Sequence, residues 1–107
     1  MRRSTTKQSI LIDKIKQVVS KHYGIAIDDL VGISRKSEIA IPRHIAVSLC
    51  RAKGCKLAAV GQAFNRHHNT IINSCRITND LIHTNTFIIG SKIKDDWEIL
   101  QEAIKKD

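Results

Sequence analysis

The chain is poor in the residues that build and punctuate β-sheets. Its 107 residues include one proline, five glycines and only 4% aromatics. That scarcity, beside abundant Ile, Ala, Lys and Leu, argues against a β-sandwich and for helices. Long apolar runs are also missing. Nothing approaches the roughly 18–20 residues that span a bilayer. The apolar Ile10-Leu11-Ile12 that follows the basic start Met1-Arg2-Arg3-Ser4 is broken by Asp13 and Lys14. A membrane span and a secretory signal are not expected, and a cytoplasmic, nucleoid-associated location is. Cysteine is scarce and odd in number. Cys50, Cys55 and Cys75 read as free thiols rather than a disulfide framework.

Acidic charge is the most informative deficit. Eighteen Lys and Arg face ten Asp and Glu, for a net +8. The excess is uneven: residues 1–80 hold 14 basic and 5 acidic side chains, and residues 81–107 hold 4 and 5. A basic surface on the first three quarters suits nucleic acid or an anionic membrane. A generically basic soluble protein is the plain alternative. The length fits one domain, and a hydrophobic content of 42% fits a folded one. No G-x-x-x-x-G-K-[ST] loop is present, and no room remains for an ATP-binding module.

Apolar spacing gives the helices. Leu11, Ile12, Ile15, Val18, Val19 and Tyr23 fall on one face, so a helix is expected over residues 10–23, with Ser9 as a cap and Gly24 as the stop. Asp28 is placed to cap a short turn through Val31, before the basic loop from Gly32 to Glu38. A third helix is expected from about Ile39 to Lys53, with Pro42 in its first turn, Ile41, Ile45 and Leu49 inward, and Arg43 and Arg51 on one face. Leu57, Val60, Gly61 and Phe64 predict a short helix, Asn65-Arg66 a turn, and His67 or His68 to His83 a longer helix with Ile71, Ile72, Cys75 and Leu81 inward and Ile77 or Thr78 between. Residues 84–91 break the pattern. Ile93, Trp97, Leu100 and Ile104 then mark a last helix, about 92–106, capped by Ser91. The organisation expected is a flexible basic arm over residues 1–8 and one helical domain over 9–107.

A short helix, a tight turn and a longer helix make a helix-turn-helix, here about residues 57–83. The second helix opens with Arg66-His67-His68-Asn69-Thr70. Five successive hydrogen-bonding side chains at a helix start suit base edges and phosphates. Arg reads guanine, Asn reads adenine and a Thr methyl meets a thymine methyl; the helix N-terminus itself favours phosphate. A polar capping turn between two core helices is the alternative.

These residues resemble the C-terminal DNA-binding domain of the bacterial chromosome replication initiator DnaA. Ile39-Ala40-Ile41-Pro42-Arg43-His44-Ile45-Ala46 resembles that family's "V-A-x-P-R-Q-I-A". Leu57 to Phe64 resembles "L-x-x-I-G-x-x-F-G", Arg66 to Ile71 resembles "R-D-H-T-T-V", and Cys75-Arg76-Ile77 resembles "A-C-x-K-I". Ile12-Asp13-x-Ile15-x-x-Val18 with Tyr23, and Asp29-Leu30 with Ser34-Arg35, resemble its opening helix and basic loop. The likeness covers about residues 9–82 and, more loosely, 92–104. It implies an all-α fold, a small helical bundle similar to the Trp-repressor-like fold, that binds double-stranded DNA at replication origins. It further implies that Arg35 enters the minor groove, Arg43 is directed at DNA, and Arg51 contacts phosphate. Leu57 and Ala58 would pack on the DNA, and Arg66, His67, His68, Asn69 and Thr70 would open the recognition helix.

The departures point to a changed site preference. The family's Asp-His-Thr-Thr is His67-His68-Asn69-Thr70 here, which removes an acid and a methyl. The loop Gly54-Cys55-Lys56 is one residue shorter, and the turn at Asn65 lacks the family's glycine, although Asn tolerates the left-handed conformation. Without an ATP-binding domain the chain would be a stand-alone reader, or a fragment whose missing part lies upstream.

Other chemistries are weaker. Cys50, Cys55, His67, His68 and Cys75 are possible zinc ligands, but Cys50 and Cys75 fall on apolar rows. No metal, cofactor, membrane or small-molecule substrate is expected. No catalytic residues are assigned, because His67-His68 has no nearby acid, so the chain is not read as an enzyme. The last helix completes the core on the favoured reading. Alternatively, with Phe87, Ile88 and Ile89, it forms a surface for replication or regulatory proteins. The wider alternatives are a transcriptional or mobile-element regulator, or an interaction module that has lost DNA readout.

Overall fold

The computed structural model describes residues 7–84, 87–88 and 91–105. Six helices follow in order: α1 (Lys7–Tyr23), α2 (Ile27–Leu30), α3 (Ser37–Ala52), α4 (Leu57–Ala63), α5 (His68–His83) and α6 (Ile93–Lys105). Between α5 and α6 lie β1 (Phe87–Ile88) and β2 (Ser91–Lys92), a two-residue antiparallel ladder pairing Phe87 with Lys92 and Ile88 with Ser91. The fold is all-α, as expected.

The core forms where the apolar rows converge. Ile12, Ile15 and Val19 of α1, Ile45 and Leu49 of α3, Val60 and Phe64 beside α4, and Ile71 of α5 are buried together. Helix α3 packs against both α1 and α5. Cys50 and Cys55 lie in the same core as free thiols, and Cys75 packs against it. Burial pushes the Cys50 and Cys55 thiols up from their ordinary pKa. Helix α6 runs antiparallel to α1. Lys14 Nζ donates to the Ile104 carbonyl at 2.8 Å near one end. At the other, Asp96 accepts from Tyr23 Oη at 2.8 Å and meets His22 Nε2 at 3.0 Å. Ile93, Leu100 and Ile104 are buried and Trp97 packs on the core, so α6 completes the bundle.

Helix ends follow local chemistry closely. Gly24 and Gly54 take positive φ, and Ile25 N and Cys55 N reach back to the Ser20 and Cys50 carbonyls at 2.9 and 3.0 Å. This is the left-handed stop that gives end carbonyls of a helix a donor.

Helix starts differ from the sequence expectations. Helix α1 begins at Lys7, so Ser9 lies inside it rather than at its cap. Gln8 is held too, because its Oε1 accepts from Lys56 N at 2.5 Å. The expected arm is thus shortened at its inner end; residues 1–6 lie outside those described. Ala26, not Asp28, is the N-cap of α2, and Asp28 and Asp29 sit in its first turn, where the helix dipole favours acids. Helix α3 starts two residues earlier than expected, at Ser37. Pro42 therefore falls in its second turn, and the Glu38 carbonyl loses its helical donor at an exposed residue where water can replace it. Helix α6 starts at Ile93, one residue later than expected, with Ser91 and Lys92 in β2; the side chains of the expected Phe87 to Ile89 surface and of the expected Ser91 cap fall outside what is described.

Candidate nucleic-acid interface

The α4–α5 turn is built from the backbone outward. Asn65 adopts φ 53°, the left-handed conformation. Asn65 N bonds the Gln62 carbonyl at 3.2 Å, and Arg66 N bonds the Gly61 carbonyl at 2.8 Å. The chain reverses so tightly that a Cβ on Gly61 would lie 2.8 Å from the Arg66 carbonyl oxygen. Glycine at 61 is therefore a requirement of close approach.

Helix α5 is capped by a ring rather than a hydroxyl. His67 Nδ1 accepts from Asn69 N at 3.2 Å. The capping alternative thus describes His67, while His68, Asn69 and Thr70 project exposed from the first turn of α5. Ala58, Gly61, Gln62, Asn65, Arg66, His67 and His68 line one concavity of about 360 Å³. Four of the expected contact residues, Ala58, Arg66, His67 and His68, are so brought together. Leu57 is half-buried at the start of α4. Arg51 is exposed in the last turn of α3, with Nη1 donating to the Cys55 carbonyl at 2.8 Å.

Arg43 is placed differently from the expectation. It is 7% exposed. Its Nε donates to the Leu30 carbonyl at 2.7 Å, Nη1 to Ser34 O at 2.9 Å and Nη2 to Asp29 O at 3.4 Å. It does not share a solvent face with Arg51, because eight residues along a helix leave an offset of about 80°. Arg66 works from the other side. Its Nη2 donates to the Gly32 carbonyl, and Nη1 to Phe64 O at 2.9 Å and Val31 O at 3.4 Å. Two guanidiniums thus hold the carbonyls of residues 29–32 and 34, from the end of α2 into the loop that follows it. Burial, and then the nearby Arg66 charge, lower the Arg43 pKa. The loop so braced carries Arg35, which is exposed. His44, next to Arg43, bonds Ser74 Oγ on α5 through Nδ1 at 2.8 Å. Burial, then Arg43 and Arg66, hold its imidazole below its ordinary pKa.

The face of α5 extends further than the sequence reading placed it. Ile72, expected inward, is 48% exposed. Asn73 and Arg76 are exposed beside it, in helical register with Asn69. Ser74 is buried instead, and of the two alternatives Ile77 and Thr78 it is Thr78 that lies fully inward. Ile72 is apolar and periodic, so only the orientation of α5 distinguishes it from a core residue. Ion pairs among the described residues join His22 to Asp96 and Lys105 to Glu102, and neither involves an arginine of this face.

Comparison with known proteins identifies a family. The family model of the bacterial dnaA protein helix-turn-helix matches residues 12–77. The chain is 34% identical over 102 residues to the chromosomal replication initiator protein DnaA of Francisella tularensis subsp. novicida, covering 94% of this chain and 20% of that protein. It is 32% identical over 83 residues to DnaA 1 of Chlamydia pneumoniae, covering 77% of this chain and 18% of that one. The chain spans about a fifth of the length of these relatives. On a family match across most of its helices and on these identities, the chain belongs to the bacterial dnaA helix-turn-helix family.

Proposed function

We propose that the chain binds double-stranded DNA sequence-specifically, at origin-type boxes, in replication initiation or its regulation. The observation that carries this is the exposed run His68, Asn69 and Thr70 on the first turn of α5, with Arg66 in the turn before it bonded to the braced loop that presents Arg35. In this reading α5 enters the major groove and Arg35 the adjacent minor groove. Arg35 and Arg51 supply charge to the backbone, and Leu57 and Ala58 pack on it. His68, Asn69 and Thr70 discriminate bases, with Ile72, Asn73 and Arg76 extending the same face. Arg66 and His67 shape the turn at the interface. Arg43 is assigned a positioning role, bracing the Arg35 loop from beneath. The residues that depart from the family at 67 and 69 support a site preference of its own. No catalytic step and no cofactor is assigned to the chain.

A salt series with two variants tests the assignment. Arg35→Ala should weaken binding to every duplex and reduce the slope of log K against log salt by about 0.9. Asn69→Ala should change which duplex is preferred. Equal losses on all duplexes for Asn69→Ala would refute its base-reading role. A second reading, a protein-interaction module acting through α6, is favoured by Ile99, 53% exposed on that helix. Tight protein binding with sequence-independent DNA binding would select it.

A further inference from the structure

Two of the residues that line a hollow between α3, α5 and α6 carry buried hydroxyls without a hydrogen-bond partner among the described residues. Ser48 on α3 is 7% exposed and Thr78 on α5 is 1% exposed. Among the described residues, Ser48 Oγ and Thr78 Oγ1 are buried side-chain atoms without a hydrogen-bond partner. Both line one hollow of about 400 Å³, with Arg51, Asn79, Ile82 and Trp97 around it. One turn earlier on the same two helices the interface closes on itself, where His44 Nδ1 and Ser74 Oγ meet at 2.8 Å. Burying a hydroxyl without a partner is destabilising. Two of them on the walls of one opening mark a place where something else supplies the bonds.

We propose that this hollow binds a small organic carboxylate carrying a planar apolar ring. Its lining decides the class. Arg51 is the one charged side chain among the lining residues, and no carboxylate lines the hollow, so the ligand is an anion. The Cys55 carbonyl holds Arg51 Nη1 at 2.8 Å and so orients the planar guanidinium fork that a carboxylate matches. A rotation about χ1 turns the Ser48 and Thr78 hydroxyls to the opening, where they donate their protons to the ligand. Trp97 and Ile82 offer the ring an apolar wall, which inorganic phosphate would not use. The volume lies at the lower end of the range for small-molecule sites.

The hollow sits on the C-terminal half of the helix whose first turn forms the proposed DNA face. Arg51 belongs to both, so a bound carboxylate and a DNA phosphate compete for one guanidinium and DNA affinity falls as the site fills. That coupling rests on the DNA reading; occupancy of the hollow does not.

Trp97 is the only tryptophan in the chain, so its emission reports on the hollow. The full chain is titrated with benzoate, and separately with benzamide, acetate and inorganic phosphate. Benzoate should give a saturable change, with each control at least about tenfold weaker: benzamide loses roughly one charge-assisted hydrogen bond, and acetate and phosphate lose the buried ring. Ser48→Ala with Thr78→Val should weaken benzoate by about tenfold or more while DNA binding without benzoate is unchanged. If the double variant fails to fold, Thr78→Val alone, which conserves shape, should still weaken benzoate. No saturable response to benzoate overturns the proposal. So do an equal response to acetate or phosphate, and variants that bind benzoate like the wild type. Benzoate binding that leaves DNA affinity unmoved would remove the coupling and keep the site. A chain that binds benzoate and no DNA would separate the site from the DNA reading.

Discussion

An alanine at Gly61 would meet a wall made of backbone. Its Cβ would lie 2.8 Å from the Arg66 carbonyl oxygen, with His68 Cδ2 and Ile71 Cγ1 each at 3.8 Å. The two side-chain carbons are at ordinary contact distance. The carbonyl is not, and relief requires about half an ångström of movement. That movement strains the turn, because Arg66 N bonds the Gly61 carbonyl at 2.8 Å. Overpacking of this kind costs about 1–3 kcal/mol, and weakening the turn hydrogen bond adds about 0.5–1.5 kcal/mol. Alanine returns about 1 kcal/mol through its higher helix propensity. The balance is a loss of about 0.5–3.5 kcal/mol. At about 4–5 °C per kcal/mol for a domain of this size, Tm should fall by about 2–18 °C. Thermal melts followed by helical circular dichroism measure it. A Gly61→Ala chain that melts at or above the wild type would refute the close-approach argument, since that is the result expected of a glycine with open space.

Three further outcomes follow from single contacts. Asn65→Ala places an ordinary side chain at φ 53° and should cost about 1–2 kcal/mol, whereas Asn65→Gly should be neutral or stabilising; denaturant melts of both decide it. Asp96→Ala leaves the Tyr23 hydroxyl and His22 without their shared acceptor and should cost about 1–3 kcal/mol, with amide exchange in α6 rising first. Stability should also fall as pH drops below His44's ordinary value of 6.5, because the unfolded chain then takes a proton that the folded imidazole, held lower, refuses. The loss should level off below the folded pKa. His44→Gln should flatten this part of the curve, and an unchanged slope in that variant would assign the effect elsewhere.

The helices were legible because their apolar rows repeat with helical spacing, and their ends because Gly24, Gly54 and Asn65 are left-handed stops. The starts were less so. Ser9 and Asp28 look like caps, yet Ala26, Lys36 and Lys56 hold cap positions without any side-chain hydrogen bond. Packing sets those starts, and packing is not written in one residue. The same applies to the site. Arg35 and Arg43 carry identical charge, and only the docking of α3 under the loop buries one and leaves the other exposed. Ile72 has the chemistry of a core residue and the position of a surface one. Ser48 and Thr78 show no signal along the chain, because an orphaned hydroxyl exists only once three helices have come together.

Selection of bound sequences from a random duplex pool by the full chain decides whether it reads DNA sequence. One motif should be enriched, bound about 10³-fold or more above non-specific duplex, with the enriched bases altered by Asn69→Ala. Equal binding of every duplex, falling steeply with salt, would contradict it.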